Sequence, residues 1–389
     1  MTCSLSPDVP ACRLAEPPSA PLSATIGLAR LTCIFGVVYV HAWTGLGGDR
    51  MAAQAGSAQD VLRWAVVELF GRSAVPLLSI VAGWLVAHSL AKRGAGGLIA
   101  GKARSVLAPM FLWNVLALLL VTGAARLGVA DLPALGGPGW IAENLLNLSR
   151  PGDINVQTAF LRDLFVCMVA TPLLVRLPAR WLGAIMVVAA IWAIGGWPLY
   201  LLLRPSILLF FAAGILIRRR GLVERLGKVG WRVALLPFAA VLPFKVGLSI
   251  AGEAGAAYPI ALTNGVDLLL RAAAALLVWR AMSALAHSIV GQSLLRLERY
   301  AFLLFCSHLV FMWLLAPRIG AWTGAMGSPG WPLFFLAQPL LALGFAIMLA
   351  HLLEAVSPFA AGWLSGGRLG RGQTASPAAL PLAHAHWKL

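Results

Sequence analysis

Ten apolar runs punctuate the chain, at 24–46, 73–91, 105–125, 157–175, 181–196, 199–217, 232–250, 259–281, 299–316 and 332–356. Each is close to the roughly 20 residues that a helix needs to cross a hydrocarbon core. A backbone in lipid must satisfy its own polar groups, which such a run does only as a helix. The pattern therefore predicts an all-α fold, a polytopic transmembrane helical bundle of about ten spanning helices. Gly195, Gly196 and Pro198 separate the fifth run from the sixth, and Pro205 interrupts the sixth. The segment 60–70 carries Asp60, Arg63 and Glu68 and reads as an interfacial helix leading into the second span. Residues 1–23 are rich in Pro, Ser and Ala and predict a disordered tail, and 357–389 predict a flexible one, leaving 24–356 as a single transmembrane domain without an internal repeat.

Charge between the runs sets an orientation. Lys92, Arg93, Lys102 and Arg104 follow the second span, Arg176 and Arg180 the fourth, and Arg218, Arg219, Arg220, Arg225, Lys228 and Arg232 the sixth. Basic loops stay in the cytoplasm, so both termini, with Arg368, Arg371 and Lys388 in the second, are expected there too. The longest opposite loop, 126–156, is long enough to cover a cavity mouth on the outer side.

Composition agrees with this assignment. Hydrophobic residues make up 60% of the 389 and charged residues 11%, against about 25% charged in soluble domains. The formal net charge of +16 would suit nucleic acid, but basic loops between apolar spans account for it, and the lipid bilayer is the expected partner instead. Cys33, Cys167 and Cys306 lie in apolar runs and Cys3 and Cys12 in the N-terminal tail, with no spacing that suggests a disulfide framework or a metal site.

Ionisable residues inside spans are costly, and by default they mark function. The first span, LARLTCIFGVVYVHAWTG at 28–45, holds Arg30 and His41. Eleven positions on a helix are about 16 Å of rise and three turns, which puts the two on broadly one face at different depths. Arg72, Arg162, Asp163, Arg204, Lys245 and His308 concentrate on the outer side. Asp267 and Arg271, four residues apart, fit an internal ion pair, whereas neighbours Arg162 and Asp163 point about 100° apart and are expected to find separate partners. Either Asp163 or Asp267 is a candidate to orient the His41 imidazole. A histidine suits general-base work near neutral pH and an arginine suits a phosphate or a developing oxyanion. These roles fit acyl transfer to a hydroxyl and equally a proton-coupled relay. Snorkelling of Arg30 and interhelical hydrogen bonds of His41 and His308 are the structural alternatives.

The ordered motifs go further. Arg30 and His41 with ten residues between them, RSAVPLLSIVAGWL at 72–85, AFLRDLFVCMVATPLL at 159–174 and YAFLLFCSHLVFMWLL at 300–315 resemble the membrane-bound acyltransferase family 3, bacterial O-acyltransferases of polysaccharides and related glycans. The chain has Ala82-Gly83 where the family often has Ser-Gly, and its Lys102-Ala103-Arg104 departs from the family's basic pattern before a proline. What the resemblance implies is a multi-pass protein of the bacterial inner membrane that moves an acyl group, most simply acetyl, from cytoplasmic acyl-CoA to a hydroxyl of an extracytoplasmic glycan or glycolipid. It implies His41 as the catalytic histidine and Arg30 as its partner in donor binding. Arg72, Arg162, Asp163 and His308 are expected to bind the acceptor or to support the residues that do, and Lys102 and Arg104 to bind the donor. No cofactor is expected to be held permanently, acyl-CoA being a substrate, and polysaccharide biosynthesis proteins are expected partners. The alternative is a secondary transporter or flippase for a glycan, glycolipid or small anion, against which stands the lack of repeat symmetry. A subunit of a polysaccharide export complex is a third reading.

Overall fold

A computed structural model describes residues 16–129, 132–197, 200–253 and 255–369. Cys3, Cys12, Arg13, Pro198, Arg371 and Lys388 lie outside the described residues, as do most of the expected N-terminal tail and residues 370–389 of the C-terminal one. All regular structure described is helical, with no strand. Ten helices have fourteen or more residues, and each overlaps one of the apolar runs: α1 (Ala20–Val40), α2 (Ala74–Lys102), α3 (Ala108–Arg126), α4 (Thr158–Leu174), α5 (Ala179–Gly195), α6 (Ser206–Arg219), α7 (Trp231–Glu253), α8 (Ile260–Leu285), α9 (Glu298–Leu314) and α10 (Trp331–Val356). Within the stretch read as a C-terminal tail, Pro358–Leu364 is helical, capped by the Ser357 hydroxyl accepting from the Ala360 N–H.

Five helical stretches among the described residues are long and apolar enough to cross a membrane: Ala20–Val40, Ala58–Arg126, Trp231–Gly252, Ile260–Leu285 and Trp331–Val356. A sixth is counted if Ile289–Leu295 and α9, bent by 56° at their break, form one span. The protein is thus a helical membrane protein. The sequence expectation of ten differs because apolar windows do not register where a helix stops. The continuous 69-residue stretch contains both α2 and α3. In the run at 199–217 the described residues 200–205 are irregular, and helix begins only at Ser206 with the 14 residues of α6.

That irregular segment has a specific cause. Arg162 in α4 donates to the carbonyls of Leu201 (2.9 Å), Leu148 (3.2 Å) and Tyr200. The Asp163 carboxylate accepts from the backbone N–H of Leu203 (3.2 Å) and Arg204 (2.8 Å). Side chains therefore take up four of the backbone groups a helix would have paired, and the chain stays unwound up to Pro205.

Close packing of the bundle depends on small residues. A Cβ on Gly83 of α2 would run into the Phe211 carbonyl of α6, and one on Gly214 of α6 into the Ile80 carbonyl of α2. The two backbones are in direct contact, as at small-residue interfaces within membranes. Helix α1 sits between α2 and α9, against both. Arg30, midway along α1, pairs with Glu298 at the start of α9, and the His41 and His308 rings meet further along both, so these two helices run parallel.

The segment between α3 and α4 is built rather than slack. It contains the helix Pro138–Leu146, and its return is pinned by the Asn114 side-chain oxygen, which accepts from Asn155 and from the Thr158 hydroxyl, both at 2.9 Å. Trp313 of α9 donates to the Ile154 carbonyl at 2.9 Å. At its tip Arg150 pairs with Asp153 at 2.7 Å and holds that carboxyl below the usual carboxylate range.

Candidate functional site

Helix α1 ends at Val40, and His41 is its C-cap, with φ −109° and ψ 9°. The expected span to residue 46 is cut short because the backbone beyond is claimed by α10. The Gln338 side chain accepts from the Trp43 N–H at 2.6 Å and donates to the Trp43 carbonyl at 2.9 Å. Buried Gln338 thus stands in for the helical partners Trp43 would have had, and it fixes the turn that carries His41.

His41 opens onto a cavity of about 220 Å³ whose polar lining is Arg72, Gln157, Arg204, Ser206 and Arg271. The His308 ring lies with its centroid 5.6 Å from that of His41. His308 is fully buried, and its Nδ1 lies 2.8 Å from the Phe305 carbonyl and 3.2 Å from that of Leu304. A carbonyl can only accept, so Nδ1 carries the proton and Nε2 is left as an acceptor without a partner among the described residues. His308 is therefore a fixed tautomer beside the histidine that faces the cavity.

The charged residues sort into three groups. At the cavity, Arg72 pairs with Glu68 (2.7 Å), Arg271 with Asp267 (2.9 Å), and Lys245 bridges Glu68 and Asp267 at 3.3 and 2.8 Å. This realises the expected Asp267–Arg271 pair and extends it to α7 and to the π-helical turn Ala65–Phe70 that precedes Arg72. Arg204 has only its backbone engaged, by Asp163, and its guanidinium makes no ion pair or hydrogen bond among the described residues.

Beside the cavity lie Arg162 and Asp163. Each finds separate partners, as expected, but these are main-chain groups, and the two residues also pair with each other at 2.7 Å. The long arginine side chain folds back along its helix, because both groups serve the same unwound segment 200–204. Neither lines the cavity, and neither Asp163 nor Asp267 bonds the His41 ring, so no carboxylate among the described residues orients that imidazole.

The third group lies about three turns back along α1 from His41. Arg30 pairs with Glu298 at 3.3 Å and stands within electrostatic reach of Lys102 and Arg368. Lys102 and Arg104, with Arg93, line a second cavity of about 630 Å³ between the last turns of α2 and the helix Pro358–Leu364. Arg30 and His41 are thus kept apart: His41 lines the first cavity, while Arg30 lines neither and lies within electrostatic reach of Lys102 at the second. Arg204, Arg271, Gln157 and Gln338 complete the His41 site without having been singled out for it. Intramembrane charge flagged the two arginines, but a lone glutamine carries no comparable signal.

Residues 24–365 match the family model of the acyltransferase domain. The chain is also similar to the succinoglycan biosynthesis protein ExoH of Rhizobium meliloti (strain 1021), with 28% identity over 366 residues that cover 90% of this chain and 94% of that protein. No solved structure matches it.

Proposed function

Since this chain belongs to the acyltransferase domain family, acyltransferase family 3, and is a membrane O-acyltransferase, we propose that it moves an acyl group from cytoplasmic acyl-CoA to a hydroxyl of an extracytoplasmic polysaccharide or its glycolipid precursor. Acetyl is the simplest such group. In this reading the protein sits in a bacterial inner membrane with about ten spans and both termini in the cytoplasm, and works beside polysaccharide biosynthesis proteins. Succinoglycan biosynthesis, named for its relative, is the supporting precedent for a polysaccharide acceptor.

The observation that carries the reading is His41 at the mouth of a cavity, backed by a buried His308 whose tautomer is fixed. His41 accepts the proton of the sugar hydroxyl as the hydroxyl oxygen attacks the thioester carbonyl. A C–O bond forms, and the carbonyl oxygen takes the negative charge within reach of the cavity's arginines. When the intermediate collapses the C–S bond breaks, and the thiolate recovers the proton from the His41 imidazolium. The basic cavity at Arg93, Lys102 and Arg104 suits the phosphates of the donor. Arg30, between the two sites, is the residue to position the arm that joins phosphate to thioester.

The test is the ester-linked acyl content of extracytoplasmic glycans, released by mild alkali and weighed by mass spectrometry, in cells with wild type, His41→Ala or Arg30→Ala at matched membrane levels. Loss of one acyl mass in both variants, by about 100-fold or more for His41→Ala, with the glycan still exported, is expected. Unchanged acylation with altered glycan export would overturn the proposal in favour of a transporter.

A further inference from the structure

The His41 cavity has more positive charge than its own carboxylates neutralise. Arg72, Arg204 and Arg271 line it, and Lys245 joins the same ion-pair network, while Glu68 and Asp267 are the only carboxylates among the described residues paired with any of them. Two cations are in excess, in a setting where unpaired charge is costly and is retained for function. The excess is localised, because Arg204 alone of the three arginines has a guanidinium with no hydrogen bond or ion pair among the described residues.

Arg204 is not there by default of packing. Asp163, with no exposed surface, holds the backbone N–H of Arg204 and Leu203, and Arg162 grips the carbonyls of Tyr200 and Leu201. An ion pair and four main-chain hydrogen bonds are thus spent on unwinding the chain just ahead of α6, where Arg204 enters the cavity. A second unsatisfied group faces the same space: buried Gln157 donates to Asn155 and to the Phe305 carbonyl, which leaves its side-chain oxygen without a donor. The cavity therefore asks for an anion at Arg204 and for a hydroxyl or amide N–H at Gln157, next to His41.

We propose that this cavity binds an anionic group of the substrate, a carboxylate or phosphate held by Arg204 with Arg72 and Arg271, beside the hydroxyl that His41 deprotonates. The proposal rests on the acyltransferase reading and narrows its substrate class. The negative charge has two chemical sources, an acidic sugar or phosphate on the acceptor, or a carboxylate at the end of the acyl chain.

Purified full-length protein is assayed with acetyl-CoA or succinyl-CoA as donor and octyl glucoside or octyl glucuronide as acceptor, products being weighed by mass spectrometry. Wild type should prefer one anionic partner by about tenfold or more in kcat/KM, the scale of a charge-assisted hydrogen bond. The axis of preference, donor or acceptor, names the source. Arg204→Gln should bring that ratio close to one, and Arg204→Lys should restore part of it. No preference in wild type, or equal loss on all four pairs in Arg204→Gln, overturns the proposal and leaves Arg204 to the oxyanion or the fold.

A binding measurement separates this from failure of the parent reading. Sodium succinate, sodium glucuronate and inorganic phosphate are titrated against thermal unfolding of wild type, His41→Ala and Arg204→Gln. At least one anion should raise Tm in wild type and in His41→Ala, which cannot turn over, but not in Arg204→Gln. If no donor is used while that pattern holds, acyl-CoA is the wrong donor and the anion site stands. If none of the anions shifts Tm and no anionic pair is preferred, the anion site falls.

Discussion

His308 and Gln338 act on His41 from behind, since neither lines its cavity. Gln338 is the cleaner of the two to test, because both its hydrogen bonds go to a single backbone unit, Trp43. Gln338→Leu leaves that part-buried N–H and C=O unpaired, at up to about 1–3 kcal/mol for each group. Gln338→Glu can still accept from the Trp43 N–H but cannot donate to its carbonyl. Gln338→Leu is expected to lower kcat by about 10- to 100-fold with little change in either KM, and Gln338→Glu to fall between it and wild type. A rise in KM with unchanged kcat would show that Gln338 touches substrate instead. At this scale the sequence revealed which groups were charged but not whom they faced. Arg162 and Asp163 lie side by side on one helix, and only the unwound chain at 200–204, brought to them by the fold, makes them partners.

Among the elements, the α2–α6 contact has the least tolerance. Gly83 and Gly214 each place backbone against the other helix's backbone, so an added methyl meets a carbonyl that cannot swing aside. Gly83→Ala or Gly214→Ala should destabilise by about 1–3 kcal/mol or more, the scale of overpacking, seen as lower detergent-solubilised yield and an earlier Tm. Gly123→Ala, where nothing lies within 4 Å of the added carbon, is the control and should behave as wild type. Helix identity was legible from apolar runs because lipid leaves a backbone no other option. Helix ends were not. Those of α1 and α6 are decided by Gln338, Arg162 and Asp163, side chains far away in sequence whose hydrogen bonds replace the helical ladder.

Across the whole molecule, the proposed function assigns the two cavities different substrates, the donor to the larger and the acceptor hydroxyl to the one at His41. Lys102→Gln and Arg104→Gln remove charge from the larger cavity alone. Each is expected to raise the KM for acyl-CoA by about tenfold, as for one lost charge-assisted hydrogen bond, and to leave the KM for the acceptor unchanged. Equal effects on both substrates would place the acceptor there as well. The parallel course of α1 and α9 ties the two regions together, since Arg30–Glu298 and His41–His308 are contacts of the same helix pair.

From residue order alone came the helical membrane class, the likeness to acyltransferase family 3 and the singling out of Arg30, His41 and His308. These follow from local rules, the length of an apolar run, the cost of charge in lipid and the spacing of a motif. Tertiary structure alone decided that Arg72, Arg204, Arg271 and Gln157 converge on His41, that Asp163 and Asp267 do not orient it, and that Lys102 and Arg104 share a cavity with the Pro358–Leu364 helix. The physical reason is that an ion pair or hydrogen bond depends on distance in space, and helix packing brings together residues more than two hundred positions apart.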